Sequence, residues 1–174
     1  MAVPAYNSHN LIRLHVIANS DTAADQELKR HVRDAILASV GRSLAAAGDI
    51  GAARKMVSYD LAAITAAARA QIKRSGQDYP VRTEFGDFPF PTRAYGDIIL
   101  PAGEYEAVRL VIGEGKGQNW WCVLFPPLCL VDVAGKNGDT LSPPVMGGEG
   151  PARPRLAWKI VEIFKSSRQR LAGL

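Results

Sequence analysis

Residues 117–132, GQNWWCVLFPPLCLVD, form the stretch that decides the fold of this chain. They combine two tryptophans, a phenylalanine, two cysteines and a Pro-Pro step, and the part before the prolines is typical of a buried strand. Because side chains alternate along a strand, we expect Trp120 and Trp121 to point to opposite faces. One can join a core, and an exposed tryptophan is a strong candidate for an interface anchor. Sugar stacking and a plain two-layer core are the alternatives.

The two cysteines of the chain, Cys122 and Cys129, lie on either side of Pro126-Pro127 and are separated by six residues. Two extended arms can bring the sulfurs together, and a bridge closing such a loop stabilises a fold by roughly 2–3 kcal/mol. Two packed free thiols are the alternative, and the residues alone leave both open. A C-x-x-C pair is absent, and burial inside WWCVLF raises the pKa of a thiol, so we expect neither redox nor nucleophilic work from Cys122.

Outward from this stretch, the pattern predicts a strand, two helices, several strands and a last helix, which is the order of an α+β fold. Alternation over residues 11–18 predicts a strand with one buried face, with Arg13 and His15 on the polar side. Residues 19–22, Asn-Ser-Asp-Thr, and later Asp49 are typical helix starts. We therefore expect an antiparallel sheet packed against an N-terminal αα-hairpin and a C-terminal helix.

The pattern over residues 81–112, in the middle of the chain, predicts strands. Residues 81–85 predict a short strand, which Phe-Pro-Phe-Pro at 88–91 should end because proline donates no hydrogen bond. Further strands are predicted at 98–100 and 105–112. The loop 113–118 lacks the last glycine of G-x-G-x-x-G and precedes a strand, so it predicts a β-turn between two antiparallel strands and no nucleotide cofactor.

Length and composition suit one soluble globular domain of 174 residues without a run of 18 apolar residues. We expect a flexible N-terminal segment over 1–10, a single α+β domain over 11–133, a Gly/Pro-rich connection over 134–154 and an amphipathic helix over 155–174. The first ten residues carry no visible export signal.

The charge balance is weakly basic, with 21 Lys and Arg against 17 Asp and Glu and no clustered basic run. A nucleic-acid partner is therefore not expected. The C-terminal helix carries Lys159, Lys165, Arg168 and Arg170 against a lone Glu162. A membrane surface is one candidate contact for this basic side, and packing on the domain with the charges in water is the commoner use of such a helix.

The sequence offers no catalytic, metal-binding or cofactor-binding constellation. His9, His15 and His31 have no partners at zinc-ligand spacing, so we expect them to be solvated or capping side chains. No two carboxylates form a pair that suggests acid–base chemistry.

One family resemblance stands beside these inferences. Residues 92–132, TRAYGDIILPAGEYEAVRLVIGEGKGQNWWCVLFPPLCLVD, with LHVIANSD and DQELKRHVRDAIL near the start, closely resemble the stage II sporulation protein R family of endospore-forming bacteria. The resemblance covers residues 11 to about 132, and no motif from Val133 onward matches.

The resemblance implies a function. Proteins of this family are made in the forespore and exported into the space between forespore and mother cell. There they trigger a membrane-embedded aspartic protease that cleaves the pro-form of sigma-E, as activators and not as enzymes. Export would favour a Cys122–Cys129 disulfide. It would also mean that an export signal has been removed from this sequence.

The expected partner is then the extracellular face of that protease. The candidate contact residues are Asn119, Trp120, Trp121, Phe125, Pro126 and Pro127. The alternative function is a cell-wall hydrolase or a glycan-binding module that uses the tryptophan pair.

Overall fold

The computed structural model describes residues 6–95 and 98–129 of the chain. In chain order the elements are β1 (Ile12–Ile17), α1 (Ala23–Ala45), α2 (Ile50–Arg74), β2 (Val81–Phe90), β3 (Arg93–Tyr95), β4 (Ile98–Leu100), β5 (Gly103–Ile112) and β6 (Asn119–Phe125). The α+β class is confirmed. The expected connection over 134–154 and the C-terminal helix over 155–174, with its membrane contact, lie outside the described residues.

The two helices begin at the predicted caps. The side chain of Thr22 accepts a hydrogen bond from the Asp25 amide at the start of α1, and the side chain of Asp49 accepts one from the Ala52 amide at the start of α2. Each cap satisfies an N–H group that the first helical turn leaves free. Gly76, with φ of +76°, follows the end of α2, where glycine tolerates the left-handed conformation.

The four-stranded sheet is mixed, with strand order β2-β5-β1-β6. β2 and β6 pair antiparallel with their neighbours, but β1 and β5 are parallel. The prediction of an antiparallel sheet is therefore wrong at its centre. Parallel neighbours need a long crossover, and the two helices with β2 to β4 supply it between β1 and β5.

β2 is twice as long as predicted, because it continues through Pro89 to Phe90. The predicted break at Phe-Pro-Phe-Pro was wrong. β2 is an edge strand of the four-stranded sheet. A proline on an edge strand leaves no ladder hydrogen bond unmade, so the sheet tolerates Pro89 there.

Both faces of the sheet carry packed layers, and the layer on the second face covers only part of it. The helices cover one face, and their buried side chains form the larger core with those of β1, β5 and β6. This core includes Leu14, Val16, Leu28, Val32, Ile36, Val57, Ile64, Leu110 and Leu124. The two-stranded β3–β4 ribbon packs on the second face, where the smaller core contains Leu11, Phe90, Tyr95, Leu100, Tyr105, Ala107 and Val123. β1 is therefore buried on both sides, which corrects the prediction of a single buried face.

The chain crosses from β5 to β6 over the end of β1, because β1 lies between these two strands. The loop is therefore not the predicted turn between neighbouring strands. It is held by a polar junction formed by Asn19, Ser20, Asp21 and Asp25. Asn19 Oδ1 accepts from the Glu114 amide at 3.0 Å. Asp21 Oδ1 likewise accepts a hydrogen bond, 2.7 Å long, from the amide of Gln118.

The Asp25 carboxylate ties this junction to α1. It accepts hydrogen bonds from Asn19 Nδ2 at 2.8 Å and from Ser20 Oγ at 2.5 Å. Burial acts to raise the pKa of Asp25, but the hydrogen bonds from Ser20, Asn19 and Tyr79 together hold that pKa below its ordinary value. The carboxylate therefore stays ionised and fixes the start of α1 against the loop.

Gly117 lies where the loop comes close to the segment that follows β1. A Cβ atom there would overlap the backbone carbonyl of Ser20. We expect Gly117→Ala to lower the free energy of unfolding by about 1–3 kcal/mol, because backbone must shift to admit the methyl group. The measurement is urea denaturation followed by circular dichroism.

Gly48→Ala is the matched control, because a Cβ atom at Gly48 has no heavy atom within 4 Å. Its effect should stay within about 1 kcal/mol. Equal effects of the two substitutions would contradict the close approach.

Candidate functional site

The candidate site is centred on β6, the edge strand that carries both tryptophans. Trp120 packs against the larger core on the helix side, and Trp121 packs against the smaller core on the second face. The opposite directions follow from the alternation of side chains along the strand. Both indole rings are half-buried.

Helix α1 holds the helix side of β6. The guanidinium carbon of Arg33 lies 4.2 Å from the ring centroid of Trp120, within the range of a cation–π contact. Lys29 Nζ donates to the carbonyl of Gln118 at 2.9 Å and to Gln26 Oε1 at 2.6 Å. Burial, with the nearby Arg30 adding to it, lowers the pKa of Lys29 to about 8. Two buried cations thus fix the start of the strand.

On the second face, Trp121 stacks on His15. The ring centroids are 3.9 Å apart at an interplanar angle of 17°, and the ring of Phe90 meets Trp121 edge-on at 4.8 Å. His15 Nε2 lies 3.0 Å from Asn119 Oδ1. Because the amide oxygen accepts, Nε2 donates, and the buried Nδ1 has no hydrogen-bond partner among the described residues. His15 was predicted to be a solvated or capping side chain, but the rings of Phe90 and Trp121 help to bury it.

His15 is held in its neutral form. Burial lowers the pKa of His15, and the positive charge of Arg109 lowers it further, while the hydrogen bond to Asn119 acts in the opposite direction. A proton on Nδ1 would sit in a buried position without an acceptor.

Arg13 lies at the centre of the second face and is 0% exposed. Its Nη2 donates to the hydroxyl of Tyr95 at 2.7 Å, and its guanidinium carbon lies 4.1 Å from the ring centroid of Phe90 and 4.7 Å from that of Tyr105. The Tyr95 hydroxyl in turn donates to the Trp121 carbonyl at 3.1 Å. We call the side chains of Arg13, His15, Phe90, Tyr95, Tyr105 and Trp121 the aromatic layer.

No carboxylate pairs with Arg13 among the described residues, and its Nε and Nη1 atoms have no hydrogen-bond partner there. Burial lowers the pKa of Arg13, whereas Tyr95 raises it. The negative faces of the aromatic rings supply the attraction that a carboxylate would otherwise provide. The aromatic layer therefore positions Trp121 through both its ring and its carbonyl.

The structure separates the six predicted contact residues. Asn119 is exposed and lies beside Trp121 through their shared contact with His15. Trp120 faces the helices, and Pro127 is half-buried. Phe125 and Pro126 are buried within the chain itself. Binding by these residues stays a prediction. On the second face, solvent reaches the side chains of Asn119 and, in part, Trp121.

Cys122 and Cys129 form a disulfide, with their Cα atoms 5.7 Å apart. Both side chains are buried against the larger core. The bridge joins β6 to the residues after Pro126-Pro127, as the family resemblance implied. The disulfide therefore ties β6 to the turn that follows it. At the other end, the polar junction holds the loop that leads into β6.

Sequence reasoning missed the aromatic layer, which needs contacts between residues far apart in the chain. A signal was present: Phe88 and Phe90 alternate as in a strand, as do Tyr105 and Ala107. Pairing these two alternations across β2 and β5 would have predicted an apolar second face.

The described residues define a disulfide-linked α+β domain. Neither helix among them is both long enough and apolar enough to cross a bilayer. Within residues 6–95 and 98–129, no three His, Cys, Asp or Glu side chains are grouped as metal ligands.

Comparison with known proteins gives the family. The family model for Stage II sporulation protein R matches residues 8–135. The Stage II sporulation protein R of Bacillus subtilis (strain 168) is 42% identical over 130 residues, which are 75% of this chain and 57% of that relative. The chain thus belongs to the Stage II sporulation protein R family, and the match spans just over half of the relative's length. No solved structure matches the chain.

The buried neutral His15 predicts a pH dependence of stability. The unfolded chain binds a proton near the ordinary pKa of 6.5, whereas the folded chain does so only at lower pH. We therefore expect the free energy of unfolding to fall as pH drops below 6.5, because the unfolded state then binds more protons. Urea denaturation at pH 7.5 and pH 5.5, about one unit to either side, measures the fall.

His15→Gln should reduce this fall, since glutamine does not titrate. His31→Gln, which removes an exposed histidine of α1, is the matched control and should leave the fall in place. An equal fall in wild type and His15→Gln would contradict the prediction.

Proposed function

We propose that the protein is a secreted, non-catalytic signalling protein of endospore formation. It activates the membrane-embedded aspartic protease that processes the pro-form of sigma-E, by binding its extracellular face. Membership of the Stage II sporulation protein R family, with 42% identity over 130 residues, is the observation that carries this proposal.

The use of the buried basic side chains supports a non-catalytic role. Arg13, His15 and Lys29 are buried, and each contacts β6 or a residue that holds it. A general acid or base needs a reacting group within hydrogen-bond reach. These three groups instead use their contacts to position a strand.

The disulfide supports the proposed location outside the cytoplasm. Bridges such as Cys122–Cys129 persist in oxidising surroundings and are rare where glutathione and thioredoxin keep thiols reduced. The space between forespore and mother cell is the location that the proposal assigns to the mature protein.

The proposed contact surface is the second-face side of β6. Asn119 is exposed and Trp121 is half-buried on a strand at the sheet edge. Large aromatic side chains held in one orientation are typical anchors of protein interfaces, because little conformational entropy is lost on binding. Trp120 has the separate role of joining β6 to α1.

A glycan-binding or cell-wall hydrolase function gains no comparable support. That alternative relied on the tryptophan pair, and the two rings lie on opposite faces of the sheet. They do not form one stacking platform for a sugar. Sugar stacking would have to rest on Trp121 alone.

Trp121→Ala tests the proposed surface. We expect it to lower cleavage of the sigma-E pro-form by about tenfold or more at limiting protein, because loss of an anchor costs about 2 kcal/mol or more of binding. Cleavage is measured by immunoblot in cells that produce the protease, its substrate and the exported protein.

Tyr59→Ala is the matched control, because Tyr59 is 88% exposed on α2, which packs on the other face of the sheet. Thermal denaturation and near-ultraviolet circular dichroism establish whether each variant is folded. If Trp121→Ala does not fold, Trp121→Phe, which keeps an aromatic ring, replaces it in the cleavage assay. Wild-type protein that gives no cleavage would contradict the activator role. Normal cleavage by a folded Trp121→Ala protein would contradict the surface.

A further inference from the structure

Part of the second face is not covered by the β3–β4 ribbon. Arg82, Glu84 and Asn119 are exposed there, whereas His15 and Val111 between them are buried. The strand pairings place Glu84, Arg109, His15 and Trp121 in one row across all four strands. The next row towards the loop contains Arg82, Val111, Ile17 and Asn119. The ribbon packs on the two rows at the other end, through Tyr95 and Leu100. We call the first two rows the open face.

The open face carries more positive than negative charge. The open face contains two arginines, Arg82 and Arg109, and one carboxylate, Glu84. The buried Arg13 lies in the adjacent row. Arg82 makes no salt bridge with a described residue. Such a face attracts negatively charged groups.

Arg109 is already arranged to bind a carboxylate. Its guanidinium carbon lies 4.2 Å from the ring centroid of Phe88, which fixes the plane of the group. Its Nε and Nη2 both donate to Glu84 Oε2, at 3.1 and 2.5 Å. The Arg109 and Glu84 side chains are 35% and 55% exposed, so this surface pair contributes at most about 1 kcal/mol. A partner carboxylate with further contacts can therefore displace Glu84.

Two further groups suit an extended peptide. Trp121 offers the accessible part of its half-buried indole ring, which stacks on His15, to an apolar side chain. Asn119 uses its amide oxygen on His15, and its NH2 group has no hydrogen-bond partner among the described residues. That NH2 group can donate to a peptide carbonyl.

We propose that the open face binds an acidic, extended segment of a protein partner. Arg109 and Arg82 pair with its carboxylates, Trp121 contacts an apolar side chain, and Asn119 donates to its backbone. The identity of the partner rests on the proposed function, which makes the segment part of the protease's extracellular face.

A protein segment fits better than an anionic lipid surface. Arg109 lies on a strand surface against the ring of Phe88, and its planar guanidinium fork matches a planar carboxylate. Surface-bound membrane proteins instead present long basic side chains around a protruding apolar side.

Opposite substitutions of one ion pair test the proposal. Glu84→Gln frees Arg109 and should tighten binding about threefold, whereas Arg109→Gln should weaken it about tenfold or more. Both remove the same ion pair, so both should change thermal stability in the same direction and only slightly. Opposite signs in binding are therefore not explained by folding.

Two binding partners are used with the full chain: the detergent-solubilised protease and a synthetic peptide of alternating glutamate and leucine. Binding to phosphatidylglycerol vesicles is measured in parallel as the test for a membrane surface. Arg54→Gln and Glu106→Gln are the matched controls, because this ion pair joins α2 to the helix-covered face. Neither control should alter binding. Higher salt should weaken binding of the wild type to both partners.

The outcomes separate the two proposals. Opposite effects of Glu84→Gln and Arg109→Gln on the peptide, with no binding to the protease, support the acidic-segment site and contradict the proposed function. Protease binding that neither substitution alters overturns the acidic-segment site and leaves the proposed function standing. Opposite effects seen only with phosphatidylglycerol vesicles overturn the site in favour of a membrane surface.

Discussion

The rest of the structure depends on the burial of one cation, Arg13, at the centre of the sheet. A buried charge without a partner is costly, and no described carboxylate neutralises this one. The rings of Phe90 and Tyr105 and the hydroxyl of Tyr95 surround the guanidinium instead. Tyr95 belongs to the β3–β4 ribbon, so keeping Arg13 out of water requires the ribbon to cover the second face.

This arrangement determines the environment of β6. The Tyr95 hydroxyl donates a hydrogen bond to the Trp121 carbonyl, and His15 stacks on the Trp121 ring. From α1, Lys29 donates to the carbonyl of Gln118, just before the strand. The disulfide holds the far end through Cys122. The tryptophan–proline stretch is thus fixed at both ends and on both faces, which leaves one side of Trp121 for a partner. The proposed role as a non-catalytic binding protein requires such a fixed surface more than it requires reactive groups.

Local patterns predicted what depends on local physics. Helix caps at Thr22 and Asp49 follow from side chains that satisfy free N–H groups, and both were found. The opposite directions of the two tryptophans follow from strand alternation alone. What failed depends on pairing between distant strands. Which strand lies beside which sets the parallel β1–β5 pair and the extension of β2 through Pro89. It also sets the burial of His15 by Phe90 and Trp121. No local pattern in β1 indicates that its polar side is covered.

Site-specific photo-crosslinking from Asn119 tests the central claim most directly, namely that the second-face side of β6 meets the protease. A benzoylphenylalanine is placed at Asn119, or at Tyr59 on α2, in exported protein in cells that produce the protease. The account predicts a crosslink to the protease from Asn119 and none from Tyr59, identified by mass spectrometry. A crosslink from Tyr59 alone, or none from Asn119 in cells where the protease is active, would contradict it.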